Sequence, residues 1–134
     1  YRALGNHQKA LEYQEKALGL KKEIFGEKHP NTANSYNNVG NTYGDLGNHQ
    51  KALDYQEKAL ELKKEIFGEK HPNTIIIVNN LIITYKNLGN NIQAGLLANE
   101  YFKYVPQNNP SWKFFEELSR PYRKKHNPFK KKKR

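Results

Sequence analysis

The sequence predicts an all-α solenoid, a stack of helix pairs built from one repeated unit. Three observations carry that prediction. Leu46 to Thr74 reads LGNHQKALDYQEKALELKKEIFGEKHPNT, and Leu4 to Thr32 is the same text with two changes, Glu12 for Asp54 and Gly19 for Glu61. Equivalent residues such as His29 and His71 differ by 42, and a weaker third echo opens at Leu88-Gly89-Asn90. A period of roughly 20–50 residues marks a repeat architecture. Within each copy the apolar residues recur in pairs every seven positions, which makes a helical stripe and not the alternation of a strand. Finally, a hydrophobic fraction of 36% and a mean hydropathy of −1.01 are low for a compact globule. They suit units that bury an apolar stripe only against their neighbours.

In the first copy, Asn6 to Phe25 carries Ala10, Leu11, Ala17, Leu18, Leu20, Ile24 and Phe25 on a helix. Glu12 and Lys16 stand at i, i+4 in the favourable order. Gly26 follows the last periodic residue and can take the left-handed conformation that ends a helix. Pro30 suits the first turn of the next helix, where its missing N–H is no loss. That helix runs to about Leu46 and is ended by Gly47; the second copy repeats the plan from Asn48 to Phe67, with Gly68 and Pro72 in the same roles. The third unit, from Asn73, has drifted: Ile82 stands in place of Gly40 and Tyr101 in place of Ala59, and its second helix stops at Pro106.

Both ends carry expectations of their own. Asn109-Pro110-Ser111-Trp112 opens a short helix to about Arg120, with Pro110 in its first turn. Trp112, Phe115 and Leu118 would cover the open face of the last unit, with Glu116 and Glu117 outward, as a solenoid cap requires. At the other end Tyr1 aligns with Tyr43, so the first unit lacks most of its leading helix, and Leu11, Ala17 and Leu18 should be partly uncovered. The expected organisation is a repeat array over 1–105 (about two and a half units, the first truncated), a capping helix over 106–120 and a basic, disordered tail over 121–134.

Specific positions point to a family. Tyr36-x-x-Val39-Gly40-x-x-Tyr43, followed by Ala52 and Ala59, resembles the tetratricopeptide (TPR) pattern of aromatic-x-x-Leu-Gly-x-x-Tyr and two small residues. Gly40, Ala52 and Ala59 are small where antiparallel helices must approach, and Tyr43 and Leu53 can fill the space between. Gln56 departs from the pattern, which expects an aromatic there; Tyr55 beside it is a partial substitute. A usual TPR unit has about 34 residues, so this one is longer by about two helical turns. The long unit, its G-x-x-H-P loop and the pairs Asn37-Asn38 and Asn79-Asn80 resemble the kinesin light chain and nephrocystin type over residues 1–105. The resemblance implies a right-handed superhelix of antiparallel helix pairs that acts as a protein-interaction scaffold. The RNA-reading pentatricopeptide fold is the nearest confusable family, and the His-Pro loop argues against it.

The charge is unevenly spread. The net +10 divides into +2 over residues 1–105 and +8 over residues 106–134. From Arg120 onward there are nine cations and no acid, among them Arg123, Lys124, Lys125, Lys130, Lys131, Lys132, Lys133 and Arg134. Three readings of that polybasic segment stand side by side: a nuclear-import-like signal, a nucleic-acid or anionic-lipid patch in which Tyr122 and Phe129 stack, or a solvated tail. The second is the alternative function of the chain, that of a polyanion-associated protein.

Enzyme chemistry has little to stand on. There is no Cys, which removes disulfides, thiolate metal sites and thiol nucleophiles together and fits an intracellular, cytoplasmic protein, or a nuclear one if the tail is an import signal. His7 and His49, like His29 and His71, are copies one period apart, without acids at metal spacing. No phosphate-binding glycine loop, nucleophile elbow or zinc-protease helix occurs. No catalytic, cofactor or metal residue is therefore assigned, and no small-molecule substrate. No apolar run approaches the roughly 20 residues of a membrane span. Tyr1 in place of Met and the lack of a signal pattern read as a piece of a longer chain.

The expected partner is a protein or peptide. The resemblance places the first helix of each unit along a concave groove, which assigns Asn34, Asn37, Asn41, Ile76, Asn79, Ile83 and Lys86 to it. An Asn amide offers donors and an acceptor that match a peptide backbone of any sequence. Composition alone, through codon bias of an AT-rich genome, would also supply Asn, and Asn38 and Asn80 have a competing role between units. Ile76 and Ile83 make an apolar anchor. Lys86, with Asp45 nearby, is the only cation on the mapped face, so an acidic ligand is not indicated.

Overall fold

The computed structural model describes residues 2–123, and all their regular structure is helical. Helices α1 (Arg2–Phe25), α2 (Pro30–Asp45), α3 (His49–Phe67), α4 (Pro72–Asn87), α5 (Asn91–Phe102) and α6 (Trp112–Ser119) precede a short 3-10 turn at Arg120–Tyr122. Each helix packs on the next in sequence, and α2 also touches α4. The result is an all-α solenoid in which α2/α3 and α4/α5 are antiparallel pairs. One core cluster holds Leu11, Leu18, Tyr36, Val39 and Leu62, and the next holds Ile75, Val78, Ile82, Tyr101 and Phe115. Leu60 of α3 packs against both and joins them.

The repeated G-E-K-H-P-N-T loop is a helix stop and start in seven residues. Gly26 and Gly68 turn the chain at φ +84 and +89, a region that other residues avoid. His29 and His71 are the N-caps of α2 and α4, their Nδ1 atoms accepting from Asn31 N and Asn73 N at 3.0 Å. Pro30 and Pro72 occupy the first turns. Thr32 and Thr74 donate back to the Gly26 and Gly68 carbonyls at 2.7 Å, and Phe25 and Phe67 lie against the two imidazoles at 4.3 and 4.5 Å. Each cap satisfies a donor that the first turn of a helix would otherwise leave unpaired.

Close helix crossing explains the small residues. A Cβ at Gly40 would lie 2.9 Å from Gln56 Cγ and 3.1 Å from the Ala52 carbonyl. Ala52 and Ala59 are fully buried. The third unit inverts the arrangement: Ile82 replaces Gly40, and Ala98 replaces Gln56, both completely buried. Volume lost on one helix is regained on its partner, the kind of exchange that cores tolerate best.

The ends differ from expectation in three ways. Leu11 and Leu18 are buried against α2; the large apolar residues of α1 that stand exposed are Tyr13, Leu20, Ile24 and, at its end, Phe25. Helix α1 also runs straight through Gly5-Asn6, although the identical Gly47-Asn48 makes the α2–α3 turn at φ +85. At Gly47 the turn packs α2 back on α3. At the other end α6 begins at Trp112, after Pro110, with the Asn109 side chain accepting from Ser111 N at 2.8 Å. Phe115 is fully buried and Tyr122 seats against Gly95, while Glu116 is half-buried and bonded to Arg120 and Arg123, not turned outward.

Candidate functional site

The stacking of units sets α2 and α4 side by side, and one side-chain bond across them joins residues 43 apart. Asn80 Nδ2 donates to Asn37 Oδ1 at 3.3 Å, which ties the two units together. Asn34 is exposed and its Oδ1 accepts from Lys63 Nζ at 2.6 Å; Asn41 is exposed and its Oδ1 accepts from Gln56 Nε2 at 2.8 Å. Asn38 is exposed, while Asn79 is half-buried with its Oδ1 sealed and without a hydrogen-bond partner. Ile76 and Ile83 keep 56% and 43% of their surface in solvent, too much for core residues. Lys86 is exposed and lies 5.8 Å from the Phe114 ring of α6.

Several residues that matter here were given no part in the site by the sequence. Gln56, at the position where the repeat pattern expects an aromatic, is buried and spends its amide twice: it donates to Asn41 and accepts from Thr84 Oγ1 at 2.6 Å. One unit earlier Thr42 donates to Gln14 at 2.6 Å in the same way. Beside these bonds Tyr43 donates to Glu15 at 2.8 Å and Tyr85 to Glu57 at 2.9 Å. Burial, and then the carboxylate accepting each hydroxyl, pushes both phenols up to about 12. The signal was present in the text, since Gln14–Thr42 and Gln56–Thr84 share one spacing of 28. Lys63 was missed too; it is buried with no acidic partner among the described residues, held by Asn34 and lying 5.3 Å from the Phe67 ring, and desolvation lowers its pKa.

Two hollows flank these helices. One, of about 400 Å³, lies between α2, α4 and the start of α3 and is lined by Asn41, Asp45, His49, Gln56, Asn80, Ile83, Thr84 and Asn87 with Gly44. It gathers Asn41 and Ile83 from the expected groove; Asn34, Asn37, Ile76, Asn79 and Lys86 lie outside its wall. The other, of about 430 Å³, runs along α3 and is lined largely by Glu57, Glu61, Glu65 and Glu69. Each of those acids already has a partner: Tyr85, Lys58, Lys28 and Lys64 respectively. Of the polybasic segment Arg120 and Arg123 are among the described residues; both bond Glu116, and Arg123 lies 5.0 Å from the Phe102 ring. Lys124, Lys125, Lys130, Lys131, Lys132, Lys133 and Arg134 lie outside them.

Helix pairs, crossings and caps on a common period are the marks of one repeat family, and its sequence profile, Tetratricopeptide repeat, matches residues 1–65 and 45–102. The chain belongs to the tetratricopeptide-repeat family. Its TPR array superposes on a protein assigned as a kinesin light chain, with nearly identical TPR-like repeats, from Podosopora anserina: TM-score 0.76, 21% identity, covering 91% of this chain and 60% of that one. A point variant of that protein gives TM-score 0.77 at the same identity and coverage. BtubC (BKLC) from P. vanneervenii follows at TM-score 0.73 and 20% identity, over 85% of this chain and 50% of that one. The chain thus spans half to three fifths of the length of these structures, and at such identity they show the fold alone. No curated protein matches the sequence. TPR repeats are in general protein–protein interaction modules on a non-enzymatic scaffold. No described helix is long and apolar enough to cross a membrane.

Proposed function

We propose that the TPR array binds a peptide or an extended partner segment across the inner face of α2 and α4. The observation that carries this reading is the combination of exposed Ile76 and Ile83 with amides whose hydrogen-bonding capacity is only part used. Asn41 gives its oxygen to Gln56 and keeps both amide hydrogens; Asn80 gives one hydrogen to Asn37 and keeps its oxygen. Ile76 and Ile83 are two turns apart on α4, about 10 Å along the axis, the right separation to flank one apolar ligand side chain. Burying such an anchor contributes about 1.5–3 kcal/mol, and each neutral hydrogen bond about 0.5–1.5 kcal/mol. Neither dominates, so several small contacts must add along the segment.

The test starts from peptides selected on the intact chain from a random 12-residue display library. Because both isoleucines are exposed, the double change Ile76→Asp, Ile83→Asp should alter stability by no more than about 0.5 kcal/mol each and abolish binding of the selected peptides. Asn79→Ala should weaken them. Peptides that bind the double variant as well as the parent chain would place the interaction site elsewhere and overturn the reading.

A further inference from the structure

We infer that the hollow between α2, α4 and the start of α3 receives the guanidinium of an arginine carried by the bound segment. The inference rests on the groove reading and adds the chemistry of one pocket to it. Asp45 supplies the only carboxylate in that wall. It is also the last residue of α2, where the backbone carbonyls already make the end of the helix negative and an acidic side chain is misplaced. The equivalent residue of the next unit, Asn87, lines the same pocket without a charge, so unit packing does not demand a carboxylate. Asp45 has no ion pair within 4.0 Å among the described residues, whereas the four glutamates along α3 are all engaged. Two negative sources therefore meet at one place, with no ion-pair partner for Asp45 among the described residues.

The rest of the wall selects among cations. The bond from Asn80 to Asn37 uses the amide nitrogen, which leaves the Asn80 amide oxygen as an acceptor. The Asp45 carboxylate on α2 and this oxygen on α4 place acceptors on two sides of the pocket. A planar guanidinium, with five N–H groups and no acceptor, can meet acceptors dispersed in that way; a lysine ammonium concentrates its donors at one point. Ile83, more than two-fifths exposed at the rim, offers an apolar support for the methylene stem that an arginine lays along such surfaces. An anionic side chain would meet Asp45 and the carbonyl end of α2, and a neutral amide would leave them uncompensated.

The probe is N-acetyl-L-arginine methylamide, titrated into the isotopically labelled chain and followed by amide and side-chain NMR shifts. The control is the citrulline analogue, which has nearly the same shape and no charge. Arginine should shift the signals of Asn41, Asn80, Asn87 and His49 and bind about tenfold tighter than citrulline. Asp45→Asn should remove that advantage and leave the citrulline titration unchanged. Asn87→Asp, which adds an acid to the same wall, should strengthen arginine binding and guards against a misfolded loss variant. Equal binding of the two probes, shifts confined to the glutamates of α3, or indifference to both substitutions would overturn the inference. The two proposals fail separately: selected peptides that need Ile76 and Ile83 but ignore Asp45 sink the arginine pocket alone. Arginine binding that persists while selected peptides ignore the isoleucines sinks the groove reading alone.

Discussion

Helices α1 and α3 carry almost the same text and live in different surroundings. Leu62 of α3 is 3% exposed, and its copy Leu20 in α1 is 56% exposed. Tyr55 is half-buried and stacked on Tyr43 at 5.5 Å, while its copy Tyr13 is 72% exposed. The cause is the number of neighbours: α3 is clasped between α2 and α4, whereas among the described residues α1 packs chiefly on α2. Its face toward α2 is nonetheless buried, through Leu11 and Leu18. Local sequence makes both stretches helical, but the worth of each side chain belongs to the helix beside it. A stack of this kind is stabilised unit by unit, through nearest-neighbour interfaces.

The comparison can be broken most easily at the leucine. Leu62→Ala should cost about 2–5 kcal/mol, the range for a buried leucine that leaves a cavity, while Leu20→Ala should cost less than about 0.5 kcal/mol. Urea unfolding of the two variants measures both. Equal losses would show that the stripe of Tyr13, Leu20 and Ile24 is covered in solution.

The glycines sharpen it at a smaller scale. A methyl group added at Gly40 meets the Ala52 carbonyl and the Gln56 side chain, so Gly40→Ala should lose about 1–3 kcal/mol through overpacking. Gly19 sits within α1 with nothing within 4 Å of an added Cβ. Gly19→Ala should therefore raise stability by about 0.5–1 kcal/mol, since alanine is the better helix former. The two changes are chemically identical and opposite in sign, which the thermal midpoints will report.

The smallest effects lie in the bonds that tie unit to unit. Tyr43→Phe or Tyr85→Phe should each lose about 0.5–1.5 kcal/mol. Both phenols are held near 12 in the fold against an ordinary 10.0, so the native state keeps protons that the unfolded chain releases. Their contribution is full below pH 10 and is lost as the pH rises toward 12. The double Tyr→Phe variant should flatten that alkaline fall. Part of it will persist, because burial, with Glu100 and Glu69 nearby, pushes Tyr101 up to about 12 as well. An unchanged alkaline profile in the double variant would assign the fall to other groups.

By itself the sequence determined the period, the helices, and the caps and crossings that shape each unit. These depend on contacts within a few residues or on a volume limit: His29 on Asn31, Pro30 in a first turn, Gly26 at positive φ, Gly40 at a crossing. The family followed from the same positions. Only the tertiary structure decided what lies between units. The text LGNHQ is a turn at Leu46, where α2 packs back on α3, and part of a continuous helix at Leu4. Gln56 became a buried link through Thr84, 28 residues away, and Asn37 found Asn80, 43 residues away. Asp45, with no special pattern in the sequence, came to stand beside Asn80, Asn87 and His49 in one wall. Such groups are joined by the stacking of helices, and stacking depends on which face finds a neighbour, a property of the assembled chain that no local stretch encodes.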